Sequence, residues 1–303
     1  MRKSGIWLLL LALMAILQFA VGLETPFAAG ASSRTQFPWK GHDATCSVRL
    51  PTPRYVSYGQ FTTCPPKRVL VLGDSLALTM GIEMSIGQEN WGTVMDGKAI
   101  NGCGFVTGTD LEHNGAFVRE NPACDNELAT WTTDVHQFKP QAILIEMGWW
   151  DSFQHMINGN VESLADPSYD NLVEQQIVHL TQGLRSATSA NIYLLSVPWM
   201  NPSPLPNGQP EPAASTTSHN EINSLLQAAA ASSSATHFVD VSPYITPSGH
   251  FQTNVDGKVC RFSDGVHLYY APNSSSLHYV HTPCGQALQR GVLSMIRQGL
   301  STK

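Results

Sequence analysis

Arg68-Val-Leu-Val-Leu-Gly-Asp-Ser-Leu76 decides how the rest of the chain is read. The apolar run at 69–72 shows no polar alternation, which marks a strand buried on both faces, and Gly73 ends it. A helix over 76–85 follows at once. The same unit then recurs along the chain. Further strands are expected at 93–100, 142–147, 192–197 and 237–241. Helices are expected at 126–138, 170–189 and 218–231, with a closing helix marked by Leu288, Val292, Met295 and Ile296. Within 170–189, Leu172, Val173, Ile177, Leu180 and Leu184 recur at helical spacing. Residues 198–217 hold six prolines and read as a long loop, and the Asp-Gly inside 254–259 marks a small hairpin. Strands alternating with helices define an α/β class: a parallel sheet of about five strands with helices on both faces. Such sheets gather functional groups in loops at the carboxyl ends of their strands.

Gly73-Asp74-Ser75-Leu76 sits in such a loop. A hydroxyl there meets the partial positive charge of a helix N-terminus, and its own N–H is one of the helix's unpaired donors. Both help an acyl-transfer nucleophile, because a developing oxyanion needs a prearranged N–H. Asp or Ser is also an ordinary N-cap, so the four residues alone decide little. The second piece is Asp264-Gly-Val-His267. A serine hydroxyl needs a base and the base needs an orienting acceptor; Asp and His three apart on one turn supply both, with Gly265 making the turn. Eleven histidines make any single one weak evidence. Two such signals, each in a loop where this fold places its sites, reinforce each other.

With both pieces in place, the sequence resembles the SGNH (GDSL) hydrolase superfamily across roughly 67–298. The resemblance implies a three-layer, flavodoxin-like fold and a catalytic triad of Ser75, Asp264 and His267. Asn101-Gly102-Cys103-Gly104 falls where the family carries its oxyanion glycine; Gly102 is the first choice for that N–H, beside Ser75, and Gly104 the second. Gly148-Trp149-Trp150-Asp151 falls where the family has G-x-N-D, so Trp150 stands in place of the oxyanion asparagine. Losing one such donor typically costs about a hundred- to a thousandfold in rate. The pattern is similar to SGNH domains appended to membrane acyltransferases that modify bacterial surface glycans. It implies a serine esterase acting on small acyl esters, O-acetyl groups of envelope polysaccharide foremost, with Trp150 and Asp151 at the substrate. The alternatives are transfer to a glycan hydroxyl by the same triad, with a separate membrane acyltransferase as partner, or a non-catalytic glycan-binding module.

Composition bounds these readings. The chain has 303 residues, 42% hydrophobic and 13% charged, enough for one sizeable core. Arg2 and Lys3 precede an apolar run over 6–23, and Ala29-Gly30-Ala31 has the form signal peptidases accept. Residues 1–31 read as a signal peptide or an uncleaved anchor, 32–66 as an irregular extension, and 67–303 as the hydrolase-like domain, exported across the cytoplasmic membrane. Removing 1–31 takes the formal charge from −6 to −7, which gives no footprint for nucleic acid. Six cysteines without a C-x-x-C suit an oxidising compartment, and order along the chain favours Cys46–Cys64, Cys103–Cys124 and Cys260–Cys284. No G-x-S-x-G or H-E-x-x-H is present. His278 and His281 are three apart without a further ligand, so neither a metal nor a cofactor is expected. Trp149, Trp150 and Trp199 fit a sugar-binding cleft or, more commonly, a core.

Overall fold

The computed structural model describes residues 66–272 and 279–301, together with two short strands, β1 (Ser47–Arg49) and β2 (Tyr58–Gln60), that pair antiparallel. The signal or anchor over 1–31 and the Cys46–Cys64 pairing lie outside the described residues.

The central sheet has five parallel strands in the order β11-β10-β7-β3-β4. These are β3 (Lys67–Gly73), β4 (Thr93–Gly97), β7 (Ala142–Glu146), β10 (Asn191–Leu195) and β11 (Thr236–Val239). Strands β7 and β10 are buried at every residue, as a parallel sheet covered on both faces requires. Each fully buried aliphatic side chain here, such as Leu70, Leu72, Ile143 or Ile145, contributes about 1.5–3 kcal/mol.

Helix α1 (Ser75–Ser85) packs against α6 (Pro283–Ser301), whereas of α2 (Glu127–Phe138), α3 (Pro167–Ala187) and α4 (Thr216–Ala231) the middle one, α3, packs against both of the others. A single turn, α5 (Ser242–Ile245), packs on α6. Helix α3 buries Val173, Ile177, Leu180 and Leu184, the stripe its periodicity called for. The strand expected over 93–100 ends at Gly97; beyond it Lys98 and Ile100 donate to Val71 and Gly73 at 2.8 Å, so the chain still follows β3 as it leaves. The Asp256-Gly257 turn joins two-residue strands β12 (Asn254–Val255) and β13 (Lys258–Val259), and β14 (Ala271–Pro272) pairs with β15 (Tyr279–Val280).

A second sheet was not foreseen. The loops leaving β4 and β7 each grow into a hairpin: β5 (Asp110–His113) with β6 (Ala116–Arg119), and β8 (His155–Ile157) with β9 (Asn160–Glu162). The hairpins join through β5 and β8 into a four-stranded antiparallel sheet. Their tips are Asn114-Gly115 and Asn158-Gly159, all four residues at positive φ, the signature of a two-residue primed turn. Strand β3 lies between β4 and β7, so the small sheet joins the loops from both of its neighbours.

Candidate active site

The site begins where β3 stops. Register pairs Gly73 with Glu146, and a Cβ on Gly73 would lie 1.8 Å from the Glu146 carbonyl oxygen. With φ at +130°, only glycine lets the chain turn there so tightly. Asp74 caps α1, its Oδ1 accepting from the Leu76 N–H at 2.7 Å. Ser75 is therefore the first residue of α1, half-buried, with an N–H that pairs with none of the described residues.

Asp264-Gly-Val-His267 is brought to it from 192 residues away in sequence. One oxygen of Asp264 accepts from the N–H groups of Val266 (2.8 Å) and His267 (3.0 Å), closing the turn. Gly265 is at φ +71°, and a Cβ there would lie 1.8 Å from the Asn201 carbonyl oxygen. The second oxygen of Asp264 accepts from His267 Nδ1 at 2.7 Å, and His267 Nε2 lies 2.8 Å from Ser75 Oγ. A carboxylate can only accept, so Nδ1 carries the proton and Nε2 of the neutral ring accepts from the Ser75 hydroxyl. Burial alone would raise the Asp264 carboxyl; the bonds from the His267 ring and from the Val266 and His267 N–H groups outweigh it and hold the group below its usual range. A hydroxyl facing an imidazole that a carboxylate orients is the geometry that activates serine for acyl transfer.

The other expected residues divide. Gly102 is at φ +79°, and its N–H has no partner among the described residues. Gly104 is not equivalent. It is buried, and its N–H donates to Glu120 Oε1 at 3.3 Å, so it is not a free oxyanion donor. Asp151, expected at the substrate, is fully buried and accepts from the Phe105 and Val106 N–H groups at 2.8 Å each. Its carboxylate bolts the glycine loop to the loop after β7, and a Cβ on Gly104 would come within 2.8 Å of it. Glu120 grips the same loop by accepting from Gly104 and Gly108, and burial pushes its carboxyl up to about 8. The Cys103–Cys124 disulfide closes the loop from its other side. Trp150 is half-buried and stacked on Phe153 at 5.4 Å, with ring carbon Cζ2 4.0 Å from where a Gly102 Cβ would lie. His113 of β5 lies 5.6 Å from the same indole, so the small sheet reaches the site. Trp149 is core, and Trp199 lies face-on against His219 at 3.7 Å.

Sequence reasoning missed what lies beneath. Glu146, ending an otherwise apolar strand, and Asp74 are both buried, and burial pushes both carboxyls up, more so for Glu146 because Asp74 is its neighbour. Arg261 is 1% exposed and lies close enough to Glu146 and Asp264 to feel both charges. Burial draws its pKa down only to about 10, leaving it cationic at neutral pH. Among the described residues no group of three or more His, Cys, Asp or Glu is gathered to hold a metal ion, and no helix is long and apolar enough to cross a membrane. His278 lies outside the described residues, and His281 faces Glu83 at 3.9 Å.

No family model matches the sequence, and no curated protein matches it. Solved structures do. One superimposes with a TM-score of 0.51 at 13% identity, over 78% of this chain and 99% of its own. A GDSL-like lipase from Bacteroides thetaiotaomicron matches over 77% of this chain and 89% of its own, with 15% identity and a TM-score of 0.43. The periplasmic domain of a lipopolysaccharide acetyltransferase from Salmonella ser. Paratyphi A matches over 78% and 85%, with 12% identity and a TM-score of 0.43. At such identities the likeness is one of fold. That fold is the three-layer, flavodoxin-like one that the strand order β11-β10-β7-β3-β4 describes.

Proposed function

We propose that the protein is an exported serine esterase of the SGNH type, acting on small acyl esters of cell-envelope polysaccharide, O-acetyl groups foremost. The observation that carries this reading is the continuous relay from Ser75 Oγ to His267 at 2.8 Å and on to Asp264 at 2.7 Å. His267 Nε2 removes the hydroxyl proton as Ser75 Oγ bonds to the ester carbonyl carbon, and the carbonyl electron pair moves onto oxygen. The N–H groups of Ser75 and Gly102 are the donors assigned to that oxyanion. Collapse breaks the bond to the leaving alcohol, which takes the proton from His267. Water then repeats the sequence on the acyl-serine and restores the enzyme; a sugar hydroxyl in its place makes the reaction a transfer.

Trp150 forms an apolar wall beside Gly102 in this reading, a face suited to a sugar ring. The leader-like N-terminus and the Cys103–Cys124 and Cys260–Cys284 bridges support export. The test is labelling by a fluorophosphonate probe together with p-nitrophenyl acetate turnover. Both are expected in the parent protein and absent from a folded Ser75→Ala variant. Equal turnover by that variant would remove the proposal.

A further inference from the structure

Arg261 is an arginine with almost no surface, set immediately before the turn that carries Asp264 and His267. Its guanidinium donates in two directions: Nη1 to the Val266 carbonyl and Nη2 to the Trp199 carbonyl at 2.8 Å. Val266 lies between the relay acid and the relay base, and Trp199 lies in the loop after β10. The Phe251 ring lies under the guanidinium at 5.8 Å. On one side Arg261 is chained to Cys260, which is bridged to Cys284 of α6; on the other it pairs with Leu268 across the turn. Asp264 and His267 themselves are open to solvent, their side chains 46% and 29% exposed. A turn so placed is held by what grips its backbone from below.

We propose that Arg261 is a positioning residue for the acyl-transfer reaction, fixing the Val266 carbonyl and hence the Asp264–His267 geometry against the sheet end that bears Ser75. This rests on the reading of Ser75, His267 and Asp264 as the catalytic relay. Asn201 and Thr79 also hold the turn, at Gly265 and Leu268, but each by one bond to one neighbour. Asn201 does so through its backbone N–H and Thr79 through its hydroxyl, whereas the Arg261 side chain forks to two backbone carbonyls, and its charge lies near both Glu146 beneath the nucleophile and Asp264. A planar fork with fixed donors does this; a lysine ammonium on a flexible stem does not.

The experiment compares Arg261→Lys and Arg261→Met with the parent. Misplacement of a catalytic group by about 1 Å costs on the order of 100-fold in rate. Arg261→Met should therefore lose about 100-fold in kcat on p-nitrophenyl acetate and Arg261→Lys about 10-fold, each with KM within about 2-fold. A second readout needs no substrate. The proton shared by His267 Nδ1 and Asp264 gives a far-downfield NMR resonance, expected in the parent and lost to exchange in Arg261→Met while the rest of the spectrum stays dispersed. A folded Arg261→Met variant with parental kcat, or with that resonance intact, overturns the proposal. Failure of both variants to fold also overturns it, because Arg261 would then support the core as a whole. If the parent shows no Ser75-dependent turnover, the functional reading falls, and the resonance alone decides the role of Arg261.

Discussion

Replacing Glu83 by glutamine should change how stability depends on pH, in a direction and size that follow from its surroundings. Glu83 lies on α1, two turns beyond Ser75, with no exposed surface. Its Oε2 accepts from the Thr282 N–H at 3.1 Å, just before α6, and a Cβ on Gly285 would lie 1.6 Å from that oxygen. Burial pushes the carboxyl from 4.5 up to about 7, against the opposing pull of the Thr282 hydrogen bonds. At about 1.36 kcal/mol per pH unit, that difference corresponds to about 3 kcal/mol. Between pH 4.5 and about 7 the folded chain holds this proton while the unfolded chain has released it. The contribution is thus fully present below pH 4.5, falls as pH rises, and is gone above about 7. Glutamine keeps a neutral acceptor for Thr282 and cannot ionise. Relative to the parent, Glu83→Gln should therefore be more stable at pH 8 than at pH 4.5 by about 3 kcal/mol. Burial pushes His281, which faces this carboxyl, down, so its response has the opposite sign and is cancelled in the parent-to-variant difference to the extent that its surroundings are unchanged. Urea unfolding at pH 4.5, 6 and 8 measures the difference. A parent-to-variant gap that stays constant across that range would refute the argument.

Asp151→Ala leaves the Phe105 and Val106 N–H groups buried without acceptors, at a cost of about 2–4 kcal/mol in urea unfolding; a cost near zero would mean that water reaches the loop. Changing Cys103 and Cys124 together to serine should lower stability by about 3 kcal/mol by the loop-closure estimate for a separation of 21 residues, and calorimetry checks it. Trp150→Ala should spare turnover of a small aryl acetate and weaken action on an acetylated glycan. If the variant fails to fold, the indole belongs to the core; if both substrates suffer alike in a folded variant, Trp150 serves the acyl-transfer step itself.

Much of the main sheet was legible because β3, β7 and β10 are largely apolar runs and α3 shows a 3.6-residue stripe, whereas β4 is buried throughout yet carries Thr93 and Asp96 and gave a weaker signal. The relay was legible because each half is encoded within four consecutive residues. The small sheet was not read, although Asn114-Gly115 and Asn158-Gly159 carry the hairpin signature. Its strands are three or four residues long, and β6 is exposed throughout, so no alternation marks them. Asp151 misled for a related reason. A carboxylate beside a motif reads as a ligand-binding group, and only the fold reveals that two backbone N–H groups occupy it. Arg261 depends on carbonyls at 199 and 266, a pairing that no local pattern contains. Glu146 did leave a trace, since a carboxyl ending an unbroken apolar strand needs buried company.

The two Asn-Gly tips give the small sheet a practical meaning. Nothing lies within 4 Å of where a side chain on Gly115 or Gly159 would begin, whereas the inner ends of the same hairpins lead back to the loops clamped by Asp151. The outer margin is therefore free to be lengthened, tagged or tethered, while the base beside the glycine loop is not. A handle spliced into either tip would leave the Asp151 clamp at the base of the hairpins untouched, whereas His113 and His155, which reach Trp150 from the strands, would have to be kept.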